Sequence, residues 1–182
     1  MTKKGSIGRS NFYVQTRIVD EAGNDCPVNH PGELLLKGPM VTPGYWRNEE
    51  ATQKNISDGW FHTGDIVRED EDHYFYVVDR IKNMFISGGE NVYPAEIERI
   101  LITHPDVASC AVIGVPDERW GEVGFAFIQG KNPDPDLASI EAYCQSQLAR
   151  FKVPKTVVFG DLPKTSTGKI QKFALRERAK DL

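Results

Sequence analysis

Residues 78–98 read VDRIKNMFISGGENVYPAEIE, and the rules by which the chain folds change within them. At the far end, Pro94 suits the first turn of a helix, where its missing N–H costs nothing. Glu96 and Glu98 follow where the helix dipole favours acid. Ile97, Ile100, Leu101 and His104 recur at i, i+3, i+4 and i+7, one face of a helix that must stop before Pro105. At the near end, the β-branched and aromatic run at 74–79 reads as a strand. Between the two lie Arg80, Lys82 and the step Ser87-Gly88-Gly89, so the boundary between two folding styles falls near 80–82.

Upstream, frequent Gly, Pro, Asn and Asp separate short apolar or β-branched runs. Strands are expected at 12–19, 32–37, 60–67 and 74–79. Asp70, Glu71, Asp72 and His73 turn the last pair as a hairpin with a solvated acidic tip. One short helix, around 48–55, is expected before Tyr93. Residues 1–80 therefore read as a β-rich, barrel-like subdomain. Downstream, strands are expected at 107–115, 122–129 and 156–159. An amphipathic helix carries Leu137, Ile140, Tyr143, Cys144 and Leu148 behind an Asp136 cap, and a terminal helix covers 173–180. Residues 81–182 read as a small α+β domain, a sheet with helices packed on it, and the expected class of the whole chain is α+β.

A chain of 182 residues, 40% hydrophobic and 26% charged, has the balance of a soluble protein of one ordinary domain or two small ones. A net charge of −4 argues against a general nucleic-acid binder, although 164–180 is locally basic. Cys26, Cys110 and Cys144 are odd in number and widely spaced, which suits neither a zinc ribbon nor a disulfide framework. A reducing cytoplasm is the expected location. His30, His62, His73 and His104 show no ligand spacing, so no metal site is expected. No apolar run reaches membrane-spanning length, and the opening MTKKGSIGRS has no apolar stretch of the signal-peptide kind.

Three stretches could carry chemistry. PKTSTGKIQK, 163–172, looks like a phosphate loop, but a Walker A loop needs Gly where Pro163 stands and Ser or Thr where Ile170 stands. What survives is a flexible hydroxyl-rich loop. Gly168 supplies backbone freedom, and Lys169 at the tip is a mobile point charge suited to a phosphate or carboxylate oxygen. The alternative is a solvated loop with ordinary surface lysines. In GWFHTGD, 59–65, Asp65 could accept two hydrogen bonds from a sugar diol, or could form an Asx turn that caps its own backbone. In the opening stretch, the planar fork of Arg80 can bind phosphate or ribose. Ser87, Gly88 and Gly89 would let a ligand or another chain approach the backbone closely; the alternative is a linker with a tight Gly-Gly turn. Neither a nucleophile elbow, nor His-Glu-x-x-His, nor Gly-x-Gly-x-x-Gly occurs.

Singly these signals are weak, but their order is specific. GELLLKGPMVTPGYWRNEEAT, DGWFHTGDI, VVDRIKNMFISGGENVYPAEIE, HPDVASCAVIGVPDERWGE and LPKTSTGKIQK succeed one another as in the adenylate-forming superfamily, which the chain resembles over nearly its whole length. That superfamily holds acyl-CoA synthetases, nonribosomal-peptide adenylation domains and firefly-type luciferases. SGGENVYPAEIE leans toward the fatty-acyl and related acyl-CoA synthetases, including the o-succinylbenzoate type. The resemblance implies a two-step, AMP-forming ligase. A carboxylic acid, with a fatty acid expected, attacks the α-phosphorus of ATP to give acyl-adenylate and pyrophosphate. The thiol of coenzyme A then displaces AMP. By the same resemblance Asp65 binds the ribose hydroxyls, Arg80 the ribose or phosphate region, and Lys169 serves the first half-reaction. Lys82 is the hinge, and Ser87, Gly88 and Gly89 line the pantetheine tunnel.

The family's Ser/Thr/Gly-rich phosphate loop, its YGxTE-like stretch, whose Glu helps hold Mg2+, and its acyl pocket are not in this sequence. The resemblance thus makes 1–80 the last β subdomain of a large N-terminal domain and 81–182 the small mobile C-terminal domain. Residues 1–182 alone are expected not to adenylate. Two departures stand out: Asp79 where many relatives have Gly, and His73 where glycine is usual in the hairpin. Competing readings are a non-catalytic module that binds CoA or nucleotide or docks a partner, and an adenylation domain that loads a carrier protein. SGGENVYPAEIE and the absence of a carrier-type serine motif lower the latter.

Overall fold

The computed structural model describes residues 3–182. In chain order the strands and α-helices are β1 (Gln15–Val19), β2 (Gly32–Lys37), α1 (Glu49–Asn55), β3 (Ile56–Ser57), β4 (Trp60–Glu69), β5 (Phe75–Arg80), β6 (Phe85–Ser87), β7 (Glu90–Val92), α2 (Pro94–Leu101), β8 (Val107–Asp117), β9 (Gly121–Gly130), α3 (Leu137–Gln147), β10 (Thr156–Phe159) and α4 (Lys172–Ala179). They fall into two compact units, the first ending at Lys82 and the second beginning at Asn83. A single 3-10 turn, Ile81–Asn83, carries the junction.

The first unit is one antiparallel sheet ordered β1-β2-β4-β3, with β5 also on β4. Both β2 and β3 pair with Phe61, and both β2 and β5 pair with Val67. A strand has only two edges, so β2 holds one and β3 and β5 share the other. The shared edge is left open between them, beside residues 62–64. Ile18, Leu34, Val67 and Phe75 form the buried cluster. The short helix α1 buries none of its residues. Its cap holds it: the Asn48 side chain accepts the Ala51 amide, and Glu49 and Glu50 occupy the first turn.

The β4–β5 hairpin tip is more than a solvated acidic turn. Asp70 Oδ1 accepts the amides of Asp72 and Tyr74, each at 3.0 Å. Its Oδ2 takes Lys3 Nζ at 2.8 Å and the Tyr76 hydroxyl at 3.0 Å. Lys3 also reaches Asp72 at 2.5 Å. His73 sits at φ +62°, the left-handed region that glycine enters more freely. This tip thereby clamps the segment that enters at Lys3 and pairs with β5 through Gly8 and Phe75.

In the second unit, β9 pairs antiparallel with β8 and parallel with β10, while β6 bridges β9 and forms a hairpin with β7. Alternation explains the unbroken apolar runs of its strands. Cys110, Val112, Ala126 and Ile128 face one cluster with Ile97 and Leu101 of α2 and Ile140 and Cys144 of α3. Ala111, Ile113, Phe125 and Phe127 face another with Leu162 and Leu175 of α4. The sheet is covered on both faces, the condition under which a strand needs no polar side. Burial pushes the Cys110 thiol up to about 12, and a nearby Glu98 charge adds to it, as befits a core packing residue. The expected strand at 12–19 begins later, at Gln15, and β3, β6 and β7 are additional to expectation. No described helix is long and apolar enough to cross a membrane.

Bonds to Lys3 and to the turn amides hold the Asp70 carboxyl well below the usual carboxylate range, and Asp70 and Asp72 raise the Lys3 ammonium. A depressed carboxylate stabilises above its unfolded pKa and stops doing so as pH falls through its folded value. A raised ammonium stabilises below its unfolded pKa and stops as pH rises through its folded value. The clamp is therefore expected to hold across neutral pH and to open at both extremes. In an NMR titration the Tyr76 ring and the 6–8 amides should move together below the ordinary carboxylate range. Movement near pH 4 would contradict the assignment.

Candidate functional site

Asp65 owes its position to an irregularity in β4. Between the pairs Glu33↔Ile66 and Leu35↔His62, the three residues Thr63, Gly64 and Asp65 stand opposite Leu34 alone. A bulge of this size strands main-chain groups and re-aims side chains. Two neighbouring side chains take them up. Glu33 Oε1 accepts the Gly64 amide at 3.1 Å, and Glu33 Oε2 lies 2.9 Å from His62 Nδ1. The Thr63 hydroxyl donates to the Leu34 carbonyl at 2.8 Å and accepts the Asp65 amide at 3.1 Å. Gly64 takes φ +68° to make the turn.

The carboxylate of Asp65 does not cap its own backbone, so the Asx-turn alternative does not hold. Asp65 and Arg80 are cross-strand partners, and Arg80 Nε lies 2.5 Å from Asp65 Oδ1. Both side chains reach solvent, at 29% and 55% exposure. Asp65 Oδ2 has no hydrogen-bond partner among the described residues. A carboxylate with one oxygen held by a guanidinium and the other presented outward can accept from a hydroxyl pair. Lys82 lies exposed in the turn Ile81–Asn83.

Ser87, Gly88 and Gly89 come together as the turn of the β6–β7 hairpin, a structure rather than a linker. Ser87 pairs with Glu90 across it. Gly88 and Gly89 have φ of +60° and +87°, the signature of the two-residue type I′ turn. Gly88 also meets a close approach: a Cβ there would lie 2.9 Å from Trp120 Cε3. Ser87 itself is buried, at 3% exposure. It lines a groove of about 920 Å³ with Arg119, Trp120, Arg150, Phe151 and Lys155. Asp117 organises one wall. Its Oδ1 accepts the amides of Arg119 and Trp120 at 2.9 and 3.0 Å, and its Oδ2 pairs with Lys155. Lys155 first, then those amides, hold the Asp117 carboxyl below its usual range. Three cations and two aromatic rings suit an anion carried on a planar ring. Sequence reading missed this groove because its residues come from three separate segments; the basic and aromatic character of 119–120 and 150–155 was the available signal.

Lys169 is not at the tip of a flexible loop. Residues 164–170 form a closed hairpin, with a bridge between Lys164 and Ile170. The Gly168 amide donates to the Thr165 carbonyl at 2.9 Å, and the Thr165 amide donates to the Lys169 carbonyl at 2.8 Å. With Gly168 at φ +82°, this is a type I turn followed by a left-handed bulge residue. The Thr165 hydroxyl accepts the Lys169 amide at 3.1 Å. Lys169 is the first residue of the returning arm, exposed, and its ammonium has no partner among the described residues. Asp65, Arg80 and Lys82 belong to the first unit, and Ser87, Gly88, Gly89 and Lys169 to the second. Among the described residues no group of three His, Cys, Asp or Glu could hold a metal ion.

A family model described as the AMP-binding enzyme C-terminal domain matches residues 96–169, and one described as AMP-binding enzyme matches residues 1–46. A feruloyl-CoA synthase from an Amycolatopsis species is 48% identical over 97% of this chain and 36% of its own length. A 2-succinylbenzoate–CoA ligase from Geobacillus kaustophilus is 44% identical over 97% of this chain and 36% of its own. A long-chain-fatty-acid–CoA ligase from Mycobacterium tuberculosis is 42% identical over 98% and 35%. The ATP-bound MatB structure from Rhodopseudomonas palustris superposes with a TM-score of 0.89 at 41% identity, over 97% of this chain and 36% of that one. The chain thus spans about a third of the length of the curated relatives it matches.

Replacing Glu33 by Ala leaves the Gly64 amide without its acceptor and His62 without its neighbour. The expected cost is about 1–3 kcal/mol, the usual penalty for an orphaned part-buried donor, measured as a shift in the urea midpoint. An unchanged midpoint would show that water closes the bulge equally well.

Proposed function

The chain belongs to the AMP-binding, adenylate-forming enzyme family, and we propose that it is the C-terminal third of an AMP-forming acyl-CoA ligase. In this reading 1–80 is the last β subdomain of a large N-terminal domain and 81–182 is the small mobile domain. The reaction joins a carboxylic acid to coenzyme A at the expense of ATP, releasing AMP and pyrophosphate. What carries the reading is 42–48% identity to CoA ligases over 97–98% of the chain.

Each residue has a physical role. Asp65, steadied by Arg80, accepts the ribose hydroxyls, and Arg80 faces the ribose or phosphate region. Lys169 meets the negative charge that grows on the oxygens around the α-phosphorus when carboxylate attacks. By analogy with a single oxyanion donor, such a charge contributes about 3 kcal/mol. Ser87, Gly88 and Gly89 line the path of the pantetheine thiol. The groove beside Ser87, with Arg119, Arg150 and Lys155 around Trp120 and Phe151, suits the phosphorylated nucleotide of CoA. Lys82 is the hinge on which the second unit turns between half-reactions, a closure of the kind that enzymes with mobile domains use. Magnesium is assigned no residue of this chain. The 42% identity to the long-chain ligase and the SGGENVYPAEIE stretch support a fatty acid as substrate, while the 48% identity to feruloyl-CoA synthase favours an aromatic acid as the second reading.

In the full-length enzyme, Lys169→Ala is expected to slow acyl-adenylate formation at least about 100-fold, the scale of losing one transition-state charge partner, and to spare thioester formation from preformed acyl-adenylate. Equal loss in both steps refutes the role. A panel of palmitate and ferulate separates the two substrate readings, and CoA binding without turnover on any acid would favour a binding module. The 182-residue chain alone should form no thioester. Proline fixes φ near −65°, so Lys82→Pro should leave adenylation intact and cut thioester formation roughly tenfold or more if the hinge lies there. Wild-type rates in both steps would move the hinge elsewhere.

A further inference from the structure

The Lys169 hairpin holds itself closed, but its own bonds do not fix it to the rest of the unit. Its arms attach at the base. Leu162 is buried and Ile170 partly buried in the cluster that α4 covers. The chain then enters α4 directly, and α4 has a single buried residue, Leu175. Ala179 and Arg178 hold the far end of the helix, Ala179 against the same cluster and Arg178 on the Asp161 carbonyl at 3.4 Å, whereas the residues before Leu175, next to the hairpin, have no buried side chain of their own.

Another anchor stands at the first residue of α4. Lys172 Nζ lies 2.7 Å from Glu98 Oε1, with only 18% and 23% of the two side chains exposed. The same oxygen accepts the Val112 amide at 2.8 Å. Val112 belongs to β8, which among the described residues pairs only with β9, so this amide points to the strand's outer edge. Glu98 sits on α2, which packs on one face of the sheet, and Lys172 begins α4, which packs on the other. The contact therefore passes round the edge of β8 and ties the two covering layers together three residues from Lys169.

We propose that Glu98 is a positioning residue for Lys169. Acting through Lys172, it fixes the start of α4 and hence where the Lys169 ammonium arrives. The proposal rests on the ligase reading of Lys169. Placement matters because a misplacement on the order of 1 Å costs a reaction up to about 10²-fold. The alternative role is structural only, and that would lower stability and both half-reactions alike.

The test compares Glu98→Gln, Lys172→Met and Lys172→Arg with Lys169→Ala in the full-length enzyme. Gln at 98 keeps an acceptor for the Val112 amide and removes only the charge that holds Lys172. Glu98→Gln and Lys172→Met are each expected to lower kcat for adenylation roughly tenfold or more, with KM for ATP little changed. Thioester formation from preformed acyl-adenylate should stay at the wild-type rate. Lys172→Arg should restore most of the loss, and the double variant should be no worse than either single one. In the 182-residue chain, the Gly168 and Lys169 amide resonances should shift in Glu98→Gln. If Glu98→Gln loses its dispersed spectrum, Lys172→Met, which leaves Glu98 on Val112, carries the comparison. Wild-type adenylation in both variants, with Lys169→Ala inactive, overturns the positioning role and leaves the ligase reading standing. Lys169→Ala matching the wild type removes the ligase reading, and the proposal with it.

Discussion

A carboxylate that accepts a main-chain N–H and at the same time holds a basic side chain recurs at four places in this chain, three of them beside candidate functional residues. Glu33 does so at the β4 bulge, with Gly64 and His62. Asp70 does so at the β4–β5 turn, with Asp72, Tyr74 and Lys3. Asp117 does so at the β8–β9 turn, with Arg119, Trp120 and Lys155. Glu98 does so at the β8 edge, with Val112 and Lys172. The reason is common to all four. A bulge, a turn or a strand edge leaves donors that no ladder satisfies, and an unsatisfied donor away from water costs more than a made bond returns. A carboxylate satisfies the donor, and its other contacts fix a basic side chain beside it.

That arrangement couples backbone shape to charge placement. At the bulge, three residues of β4 opposite one of β2 turn Asp65 toward Arg80, and without Glu33 and Thr63 the turn would have no internal support. At the β8–β9 turn, the same carboxylate that folds the chain back sets Trp120 over Gly88, where a side chain of any size would collide. Exposed ion pairs alone stabilise little. Their value here lies in geometry: each pair is attached to a turn, a bulge or a strand edge, so it sets direction even where it adds little free energy.

Much of the fold was legible in the sequence because it follows from local periodicity. The 32–37 and 156–159 strands match β2 and β10, and the Asp136 cap accepts the Ser139 amide as its position suggests. Pro94 opens α2, and Ile97 and Leu101 are fully buried. What was not legible depends on partners distant in sequence. Strands β6 and β7 have three residues each, too few to show alternation, and exist because Phe85 and Val92 join a core built mostly by later residues. Lys169 read as flexible because Thr, Ser and Gly are loop formers, yet the Thr165 hydroxyl and carbonyl close that loop. The acidic tip at 70–73 read as solvated because nothing in its own segment reveals Lys3. Glu33 and Asp117 passed unnoticed, and Glu98 read only as a helix-dipole acid, because a carboxylate that satisfies a distant amide looks, in sequence, like any surface acid.

The rigidity of the two hairpins in the second unit constrains how they can act. Gly88 and Gly89 occupy a two-residue turn closed on both sides, and Gly88 donates its amide to the Trp120 carbonyl at 2.8 Å. Lys169 stands on a hairpin closed by its own main chain and based on the buried cluster around Leu162 and Leu175. Neither is built to flex into a new place while the other stays still. If the two serve successive steps at one reaction centre, loop motion cannot exchange them, because each would have to break its ladder and its packing first. In that reading the exchange would fall to the unit moving as a whole; the turn Ile81–Asn83 is the segment that joins it to the first unit. A short turn can change a few backbone angles without disturbing either core, so on the proposed ligase reading the stiffness of the hairpins would place the movement at the residues around Lys82.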